Sequence, residues 1–237
     1  MPQAMPHPSP IRPATPSDLP ALAHIIGSAF ADDPVSLWAM GSPALVADTF
    51  AALIAQVYLP RGRCTLLGDG QAAALWLPPG GRKQLPLAAT LGLGLRLLGR
   101  AHPRHSWRAW QLDQALQARR PVRPHLYLFA VGVLPGQQGQ GLGRRLLGHT
   151  LQQCDAQGLS VFLENTHPRN LGLYSRLGFE ALETYAPVPG CPVVTTMWRR
   201  PQPQALPPHQ ATMERCSRNS GCWLNCTLSM LRKPSCR

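Results

Sequence analysis

The sequence predicts an α/β (α+β) domain with a central mixed, mostly antiparallel sheet flanked by helices. Between residues 125 and 164 a strand, a glycine-rich loop, a helix and a second strand follow one another. This order is a βαβ unit with one parallel strand pair. A hairpin precedes the unit at 64–77, and strands follow it at about 180–186 and 193–199. Antiparallel strands on both sides of a parallel pair make a mixed sheet.

The start of the predicted domain is mainly helical. Residues 11–14 are a short strand candidate. Ser17-Asp18 offers an N-cap for a helix whose apolar residues keep helical spacing as far as Phe30. Residues 31–34 are expected to break this helix, and a second apolar-periodic segment runs from about Pro43 to Tyr58.

The middle of the chain carries a hairpin and two helix candidates. The hairpin strands are predicted at 64–67 and 72–77, on either side of the turn Gly68-Asp69-Gly70. The helix candidates are at 85–98 and 107–119.

The βαβ unit is the clearest part of the sequence. The strand at 125–133 is almost continuously apolar, which suits a strand buried on both faces. Gly132 within it suggests a bulge or a close backbone approach. A helix is predicted at about 141–156, a second buried strand at 160–164, and a short helix at 170–177.

Composition divides the chain into three parts. Residues 1–10 are rich in proline and are expected to be disordered, and residues 11–200 form the domain. After Arg200 the chain becomes rich in proline and glutamine, and residues 209–237 show neither helical period nor strand alternation. We therefore predict that 201–237 is a linker and a disordered tail.

The net charge of +12 is compatible with three kinds of partner, which are nucleic acid, a membrane surface and an anionic ligand. Like charges form no run of five, and scattered arginine is most often solvated surface. Since there is no basic helix face, nucleic acid is not expected. No apolar stretch of about 20 residues is found, so no membrane span is expected.

The seven cysteines suggest a reduced, cytoplasmic protein, because Cys64, Cys154 and Cys191 lie far apart and the others crowd the C-terminal segment. The cysteine spacings contain no C-x-x-C pair and the histidines share no spacing, so no metal is expected. The first residues lack a basic and an apolar leader region, so no secretory signal is expected.

The loop Gln138-Gly139-Gln140-Gly141-Leu142-Gly143 separates the strongest strand from a helix, where a glycine cluster usually binds phosphate. A P-loop would need lysine at position 144, where this chain has arginine. A dinucleotide-binding loop would need glycine at Leu146 and an acidic residue about 20 positions on. Neither motif fits, and a plain glycine-rich turn is the structural alternative.

Gln138-x-x-Gly141-x-Gly143 resembles the Gln/Arg-x-x-Gly-x-Gly/Ala motif of the GNAT superfamily of N-acetyltransferases. Residues 170–179 resemble its second signature, Asn…Tyr-x-x-x-Gly-Phe. The resemblance covers about residues 11–200. Within the superfamily, segments between 128 and 179 are most similar to puromycin N-acetyltransferase and its relatives. The resemblance implies the GNAT fold, in which the parallel strand pair splays apart.

The resemblance also implies acetyl-CoA as the acetyl-donor cosubstrate, without a metal. Val131, Gly132 and Val133 would bind the pantetheine arm through their backbone, and the strands would splay near Gly132. Backbone N–H groups would hold the pyrophosphate, with added charge from Arg144; the loop residues concerned are Gln138, Gly139, Gln140, Gly141, Leu142 and Gly143. A backbone N–H group near 131–133 would stabilise the oxyanion.

The resemblance points to two catalytic residues. An amine is protonated at pH 7 and needs a base, for which Glu164 is the candidate, acting directly or through water. Its alternatives are a surface carboxylate or a partner of Arg169. Tyr174 would protonate the departing CoA thiolate, unless it is a packed helix aromatic. Asn170 would bond the pantetheine arm or cap the helix.

A few residues are weaker acceptor-site candidates. Asp32, Asp33 and Trp38 lie where the acceptor loops of the superfamily occur, although a helix-ending turn explains the aspartates equally well. His167 lies close to Glu164 in the sequence. Trp76 is better explained as core than as a substrate platform.

The predicted function is acetyl transfer from acetyl-CoA to a primary amine of a small molecule, for example an antibiotic- or nucleoside-like amine. One alternative is a protein lysine or N-terminal acetyltransferase. A non-enzyme alternative is an acetyl-CoA-sensing or basic nucleic-acid-binding module. The expected protein is a cytoplasmic monomer or homodimer whose partners are acetyl-CoA and the amine.

Overall fold

The computed structural model describes residues 10–68, 70–81 and 103–202. The chain divides into a compact unit, Met1–Gln202, and a second unit, Pro203–Arg237, and the described residues all belong to the first. The helix predicted at 85–98 and almost all of both predicted disordered ends lie outside the described residues, so these expectations stay predictions.

A seven-stranded sheet lies at the centre of the described residues, in the order β1-β2-β3-β4-β5-β7-β6. The strands are β1 Ile11–Pro13, β2 Arg63–Leu67, β3 Ala72–Leu77, β4 Leu126–Val133, β5 Val161–Asn165, β6 Glu180–Tyr185 and β7 Val194–Arg199. Strands β4 and β5 are parallel, and the other neighbouring pairs are antiparallel. The predicted fold class is confirmed.

One extra residue in β4 coincides with the end of the parallel pairing. The register between β3 and β4 shifts beside Phe129, which has no partner in β3. Pairing between β4 and β5 stops at Leu128 and Leu163, although both strands continue. Because a bulge bends its strand, the two strands separate from Phe129 onwards. The prediction that the splay lies near Gly132 therefore placed it too far along β4.

Gly132 instead permits a close helix contact. A Cβ atom at this residue would lie 2.9 Å from the Cβ of Ala29 and 3.1 Å from the carbonyl oxygen of Ile25. Both residues belong to the first helix, Leu19–Ala29. Of the two interpretations of Gly132, the close approach is right and the bulge is wrong.

The described helices are α1 Leu19–Ala29, α2 Pro34–Met40, α3 Pro43–Leu53, α4 Pro103–Ala118, α5 Leu142–Ala156 and α6 Leu171–Arg176. A π-helical stretch, Ile54–Tyr58, and a last turn, Leu59–Arg61, continue α3. Helix α2 was missed, because Asp33-Pro34 resembles a helix break. In the structure these residues start a helix: Asp33 accepts a hydrogen bond from the Ser36 N–H group at 2.8 Å, and Pro34 occupies the first turn.

Helices cover both faces of the sheet. Helices α1 and α3 pack with one core, and α5 and α6 pack with the other. The stretch Pro43–Arg61 is apolar and long enough to cross a membrane by length and composition. Its residues Val46, Ile54 and Val57 have no exposed surface and belong to the first core. Packing against the sheet thus accounts for its composition.

Candidate functional site

A groove of about 490 Å³ follows the end of β4, the glycine loop and the starts of α5 and α6. Nine predicted cofactor-binding residues line it, namely Val131, Val133, Gln138, Gly139, Gly141, Leu142, Gly143, Arg144 and Asn170. Among the described residues, Gly132 is buried beneath α1 and Gln140 is exposed outside the lining. The fold therefore brings strand, loop and α6 residues to one groove.

The glycine loop forms an anion-binding helix start. Gly136, Gly139 and Gly141 have φ values of 82°, 79° and 77°, which residues with a Cβ rarely adopt. Gly141 is the N-cap of α5. The first N–H groups of a helix lack intrahelical acceptors, and this end carries partial positive charge. Leu142, Gly143 and Arg144 in this first turn line the groove.

Three arginines line the groove, namely Arg144, Arg169 and Arg176, and the charge of Arg169 is balanced by an ion pair with Asp32. Only Arg144 was predicted from the sequence to add charge here; Arg176 reaches the groove because it lies in α6, where Leu173 lines the same groove. Unpaired N–H groups, guanidinium groups and a long cavity together fit the pantetheine-diphosphate of coenzyme A. The match between the groove and coenzyme A is therefore based on these hydrogen-bond donors and on the length of the cavity.

A slot of about 60 Å³ opens where β4 and β5 separate. It lies between Leu128–Val131 of β4 and residues 163–167, which include the end of β5, and Tyr174 forms another part of its wall. Val131 and Asn170 line both the slot and the groove. The slot is therefore the inner end of the groove.

Tyr174 is buried in the wall of the slot. The residue is 7% exposed, and its ring lies edge-on to that of Phe179 with centroids 5.9 Å apart. Burial, and then the charge of Asp33, raises the pKa of Tyr174 above its ordinary value. The phenol is therefore protonated near neutral pH. Tyr174 is a packed aromatic and lies in the slot, so the two interpretations are compatible.

Glu164 is buried, with a side chain 4% exposed. Its Oε2 accepts a hydrogen bond from the Tyr127 hydroxyl, and its Oε1 lies 3.7 Å from Nε of Arg120. The Arg120 guanidinium lies over the Tyr127 ring, 3.9 Å from its centroid. Both alternatives for Glu164 were wrong: it is not a surface carboxylate, and Arg169 pairs with Asp32 instead, at 2.8 and 2.9 Å.

The loop between α1 and α2 is tied to the loop after β5. Besides the Asp32–Arg169 pair, Thr166 donates a hydrogen bond to Oδ2 of Asp33 at 2.5 Å, and Asp33 is 3% exposed. Asp33 also lines the slot. The aspartates thus do more than end a helix. Asn170 makes no side-chain cap hydrogen bond, so the capping alternative for it is wrong.

A third cavity, which we call the apolar pocket, has a volume of about 120 Å³ and lies beside α2, α3 and α4. Phe30, Phe129, Glu164 and Thr166 line both this pocket and the slot. The groove therefore shares a wall with the slot, and the slot shares another wall with the apolar pocket. Glu164 stands where the slot meets the pocket.

The remaining candidates divide between core and site. Trp76 is fully buried in the core, as expected. His167 lines the slot, and its Nδ1 accepts a hydrogen bond from the Arg169 N–H group at 3.3 Å. Trp38 packs beneath the Arg108 guanidinium, 4.8 Å from the ring centroid. Within the described residues, no group of three or more His, Cys, Asp or Glu side chains could hold a metal ion.

Sequence comparison relates the chain to a protein family and to a curated relative. Residues 105–179 match the model of the acetyltransferase (GNAT) family. An uncharacterised N-acetyltransferase of Schizosaccharomyces pombe is 26% identical over 175 residues, which cover 68% of this chain and 70% of that protein.

Solved structures share the fold. A histone acetyltransferase HPA2 and related acetyltransferase from Corynebacterium glutamicum has a TM-score of 0.63 and 24% identity, over 84% of this chain and 100% of that chain. An agmatine N-acetyltransferase has a TM-score of 0.53 and 18% identity, over 82% of this chain and 100% of that chain. At such identities the likeness establishes the architecture alone.

The family match begins in α4 and includes β4, the glycine loop, α5, β5 and α6, which are the elements that form the groove and the slot. The parallel pair in a mixed seven-stranded sheet is the arrangement of the GNAT fold. Together with the relative's N-acetyltransferase activity class, these findings identify the chain as an acyltransferase with a GNAT fold.

Proposed function

We propose that this protein transfers the acetyl group of acetyl-CoA to the primary amine of a small molecule. The observation that carries the proposal is the continuity of groove, slot and apolar pocket, with Tyr174 on the slot wall and Glu164 at the junction of slot and pocket. A donor in the groove and an acceptor in the pocket would meet between these two side chains.

The groove provides the donor site. Acetyl-CoA supplies an acyl group already activated as a thioester. Beyond Leu128 the edge of β4 is no longer paired with β5, so backbone groups of 131–133 can bind the pantetheine arm. The start of α5, with Arg144 and Arg176, binds the pyrophosphate. A backbone N–H group of the same β4 segment stabilises the oxyanion.

Glu164 and Tyr174 move the protons. Glu164 accepts the proton of the ammonium group, directly or through one water, because its carboxylate lines the space where the amine enters. The amine nitrogen then bonds to the carbonyl carbon and the carbon–sulfur bond breaks. Tyr174 gives its proton to the departing sulfur; its raised pKa keeps the phenol protonated until that step. The acylated nitrogen loses its second proton to solvent, Tyr174 regains a proton from solvent, and Glu164 releases its proton to solvent.

The acceptor side favours a small molecule over a polypeptide. The apolar pocket is only about 120 Å³ in volume and is bounded by side chains from three helices. A peptide backbone needs polar partners along its length, whereas this lining is mostly apolar. An amine of an antibiotic-like molecule remains within the proposal. A cytoplasmic location, the absence of nucleic acid and membrane partners, and a monomer or homodimer stay predictions.

A CoA-release assay with a panel of amines tests the proposal, together with thermal unfolding in the presence of acetyl-CoA. We expect acetyl-CoA to raise the melting temperature. Tyr174→Phe should lower kcat about 10²-fold, the lower range for general acid–base catalysis, and leave the acetyl-CoA-induced shift intact. Tyr185→Phe is the matched control, because Tyr185 lines none of the three cavities. No thermal shift, or unchanged turnover of Tyr174→Phe, would contradict the donor site or the proton donor respectively.

A further inference from the structure

We infer that the acceptor is a primary amine joined by a short linker to one compact, uncharged apolar group, about the size of a single ring, that fills the apolar pocket. This inference rests on the proposed function and specifies its substrate class. It narrows the range of amines considered above, because it excludes nucleoside-sized groups and amines with a second charge.

Aromatic rings form one wall of the pocket. The Phe30 and Phe50 rings have centroids 4.7 Å apart, and those of Phe50 and Phe129 are 5.7 Å apart. Leu53 and Leu116 are among the aliphatic residues that complete the lining. Edge and face contacts between aromatic rings at these separations are favourable. A bound ring would therefore extend an aromatic cluster that the protein already contains.

The volume limits the size of the bound group. A dry cavity of about 150 Å³ lined by Leu, Ile and Phe is sufficient to bind benzene. The apolar pocket, at about 120 Å³, is slightly smaller but opens into the slot. One six-membered ring, or a branched alkyl group of similar volume, fits this space. A fused bicyclic group would require movement of α3 or α4.

The charges around the pocket favour an ammonium group at its slot end. Glu164 and Asp113 are its acidic lining residues, and the described lining contains no basic residue, although Arg120 lies 3.7 Å from Glu164 outside that lining. Asp113 already accepts a hydrogen bond from Nε2 of Gln117 at 2.5 Å. Burying a further cation or a carboxylate among apolar walls is unfavourable without a partner. The acceptor should therefore carry one charge, at Glu164.

The shared wall sets the length of the linker. Phe129, Glu164 and Thr166 line the slot and the pocket at once, so no separate channel lies between them. A ring seated against Phe129 brings its amine to Glu164 through a short alkyl chain. The bulge that separates β4 from β5 thereby also places the ring-binding residue next to the base.

Initial rates of CoA release test this class. The probes are 2-phenylethylamine and cyclohexylmethylamine, set against agmatine, putrescine, tryptamine and puromycin. We expect kcat/KM for the monocyclic amines to exceed that for each of the others at least tenfold, as a hydrophobic pocket allows. A preference for agmatine or putrescine, or for a bicyclic or larger amine, would overturn the inference while leaving acetyl transfer intact. CoA release with none of the amines would count against both proposals.

Ala109→Leu fills the pocket from α4, and Ala118→Leu on an exposed position of the same helix is the matched control. We expect Ala109→Leu to raise KM for 2-phenylethylamine at least tenfold and to leave KM for methylamine and acetyl-CoA unchanged. Met40→Ala enlarges the same pocket and should raise kcat/KM for tryptamine at least tenfold. Equal effects of Ala109→Leu on methylamine and 2-phenylethylamine, or no gain for tryptamine, would overturn the inference. The acetyl-CoA-induced melting shift verifies that each variant is folded.

Discussion

Two buried tyrosines, Tyr127 and Tyr58, allow the contribution of the hydrogen bond from Tyr127 to the Glu164 carboxylate to be measured. The Tyr127 hydroxyl donates a hydrogen bond to Glu164, whereas the Tyr58 hydroxyl is buried and has no hydrogen-bond partner among the described residues. Tyr127 is 5% exposed and Tyr58 has no exposed surface. Tyr127→Phe and Tyr58→Phe therefore remove the same atom from two equally buried rings, and only one of these atoms is bonded.

A hydrogen bond to a charged group contributes about 1.5–3 kcal/mol to stability. In a domain of this size, each kcal/mol changes the melting temperature by about 2–4 °C. Tyr127→Phe should therefore lower it by roughly 3–12 °C. Tyr58→Phe removes an unsatisfied polar atom, so we expect an unchanged or higher melting temperature.

Activity should separate the two variants as well. Without the Tyr127 hydrogen bond, the Glu164 carboxylate loses a partner that orients it, although Arg120 still lies 3.7 Å away. A misplacement of about 1 Å can lower rates 10²-fold, so kcat/KM for the amine should fall at least tenfold. KM for acetyl-CoA should not change, since Tyr127 does not line the groove. Thermal unfolding and CoA-release kinetics provide both measurements. Equal losses in the two variants would refute the assignment of Glu164 as a base positioned by Tyr127.

Three further variants, two of them with a matched control, follow from the structure. Asp155→Asn breaks a buried bidentate pair with Arg199, with contacts of 2.6 and 2.8 Å, and should cost about 3–5 kcal/mol in urea unfolding. Asp32→Asn breaks the exposed bidentate pair with Arg169 and should cost about 1 kcal/mol or less. The Arg199 hydrogen bonds lower the pKa of Asp155 below 3.8, so its stabilisation holds above that pH and is lost as pH falls through the folded-state value; unfolding at pH 2–7 should show the wild type losing its advantage over Asp155→Asn. Gly132→Ala should destabilise by about 1–3 kcal/mol through its contact with α1, whereas Gly148→Ala in α5, with open space around it, should be neutral or stabilising. Arg176→Ala should raise KM for acetyl-CoA severalfold, most strongly at low salt, and leave KM for the amine unchanged.

The elements that sequence predicted well are those with strong local patterns. The apolar run of β4 and the one-sided apolar face of α5 determine these elements without help from distant residues. The glycine motif was equally readable, because positive φ at Gly139 and Gly141 is a local requirement. Nine of the fourteen residues that line the groove could therefore be predicted.

Residues set by register and capping were not predictable in the same way. Tyr127 meets Glu164 across 37 positions of sequence because Tyr127 lies opposite Phe162 in the parallel pair. Arg120 follows the end of α4, and only the packing of that helix brings it to the same carboxylate. Helix α2 depends on Asp33 as an N-cap, and the same residue pair could equally end α1. The positions of these side chains and the start of α2 thus depend on contacts with residues distant in the sequence.

The bulge at Phe129 connects fold and chemistry. Without the extra residue, β4 would continue in register with β3 beyond Leu128 and could remain paired with β5 as far as Asn165. Paired strands would close the slot, and the backbone of 131–133 would be occupied by β5 rather than open to a ligand. The same bulged residue presents its ring to both slot and pocket. One insertion in one strand therefore opens the donor path and supplies a wall of the acceptor pocket, which explains why catalytic and specificity residues cluster at the same break in the sheet.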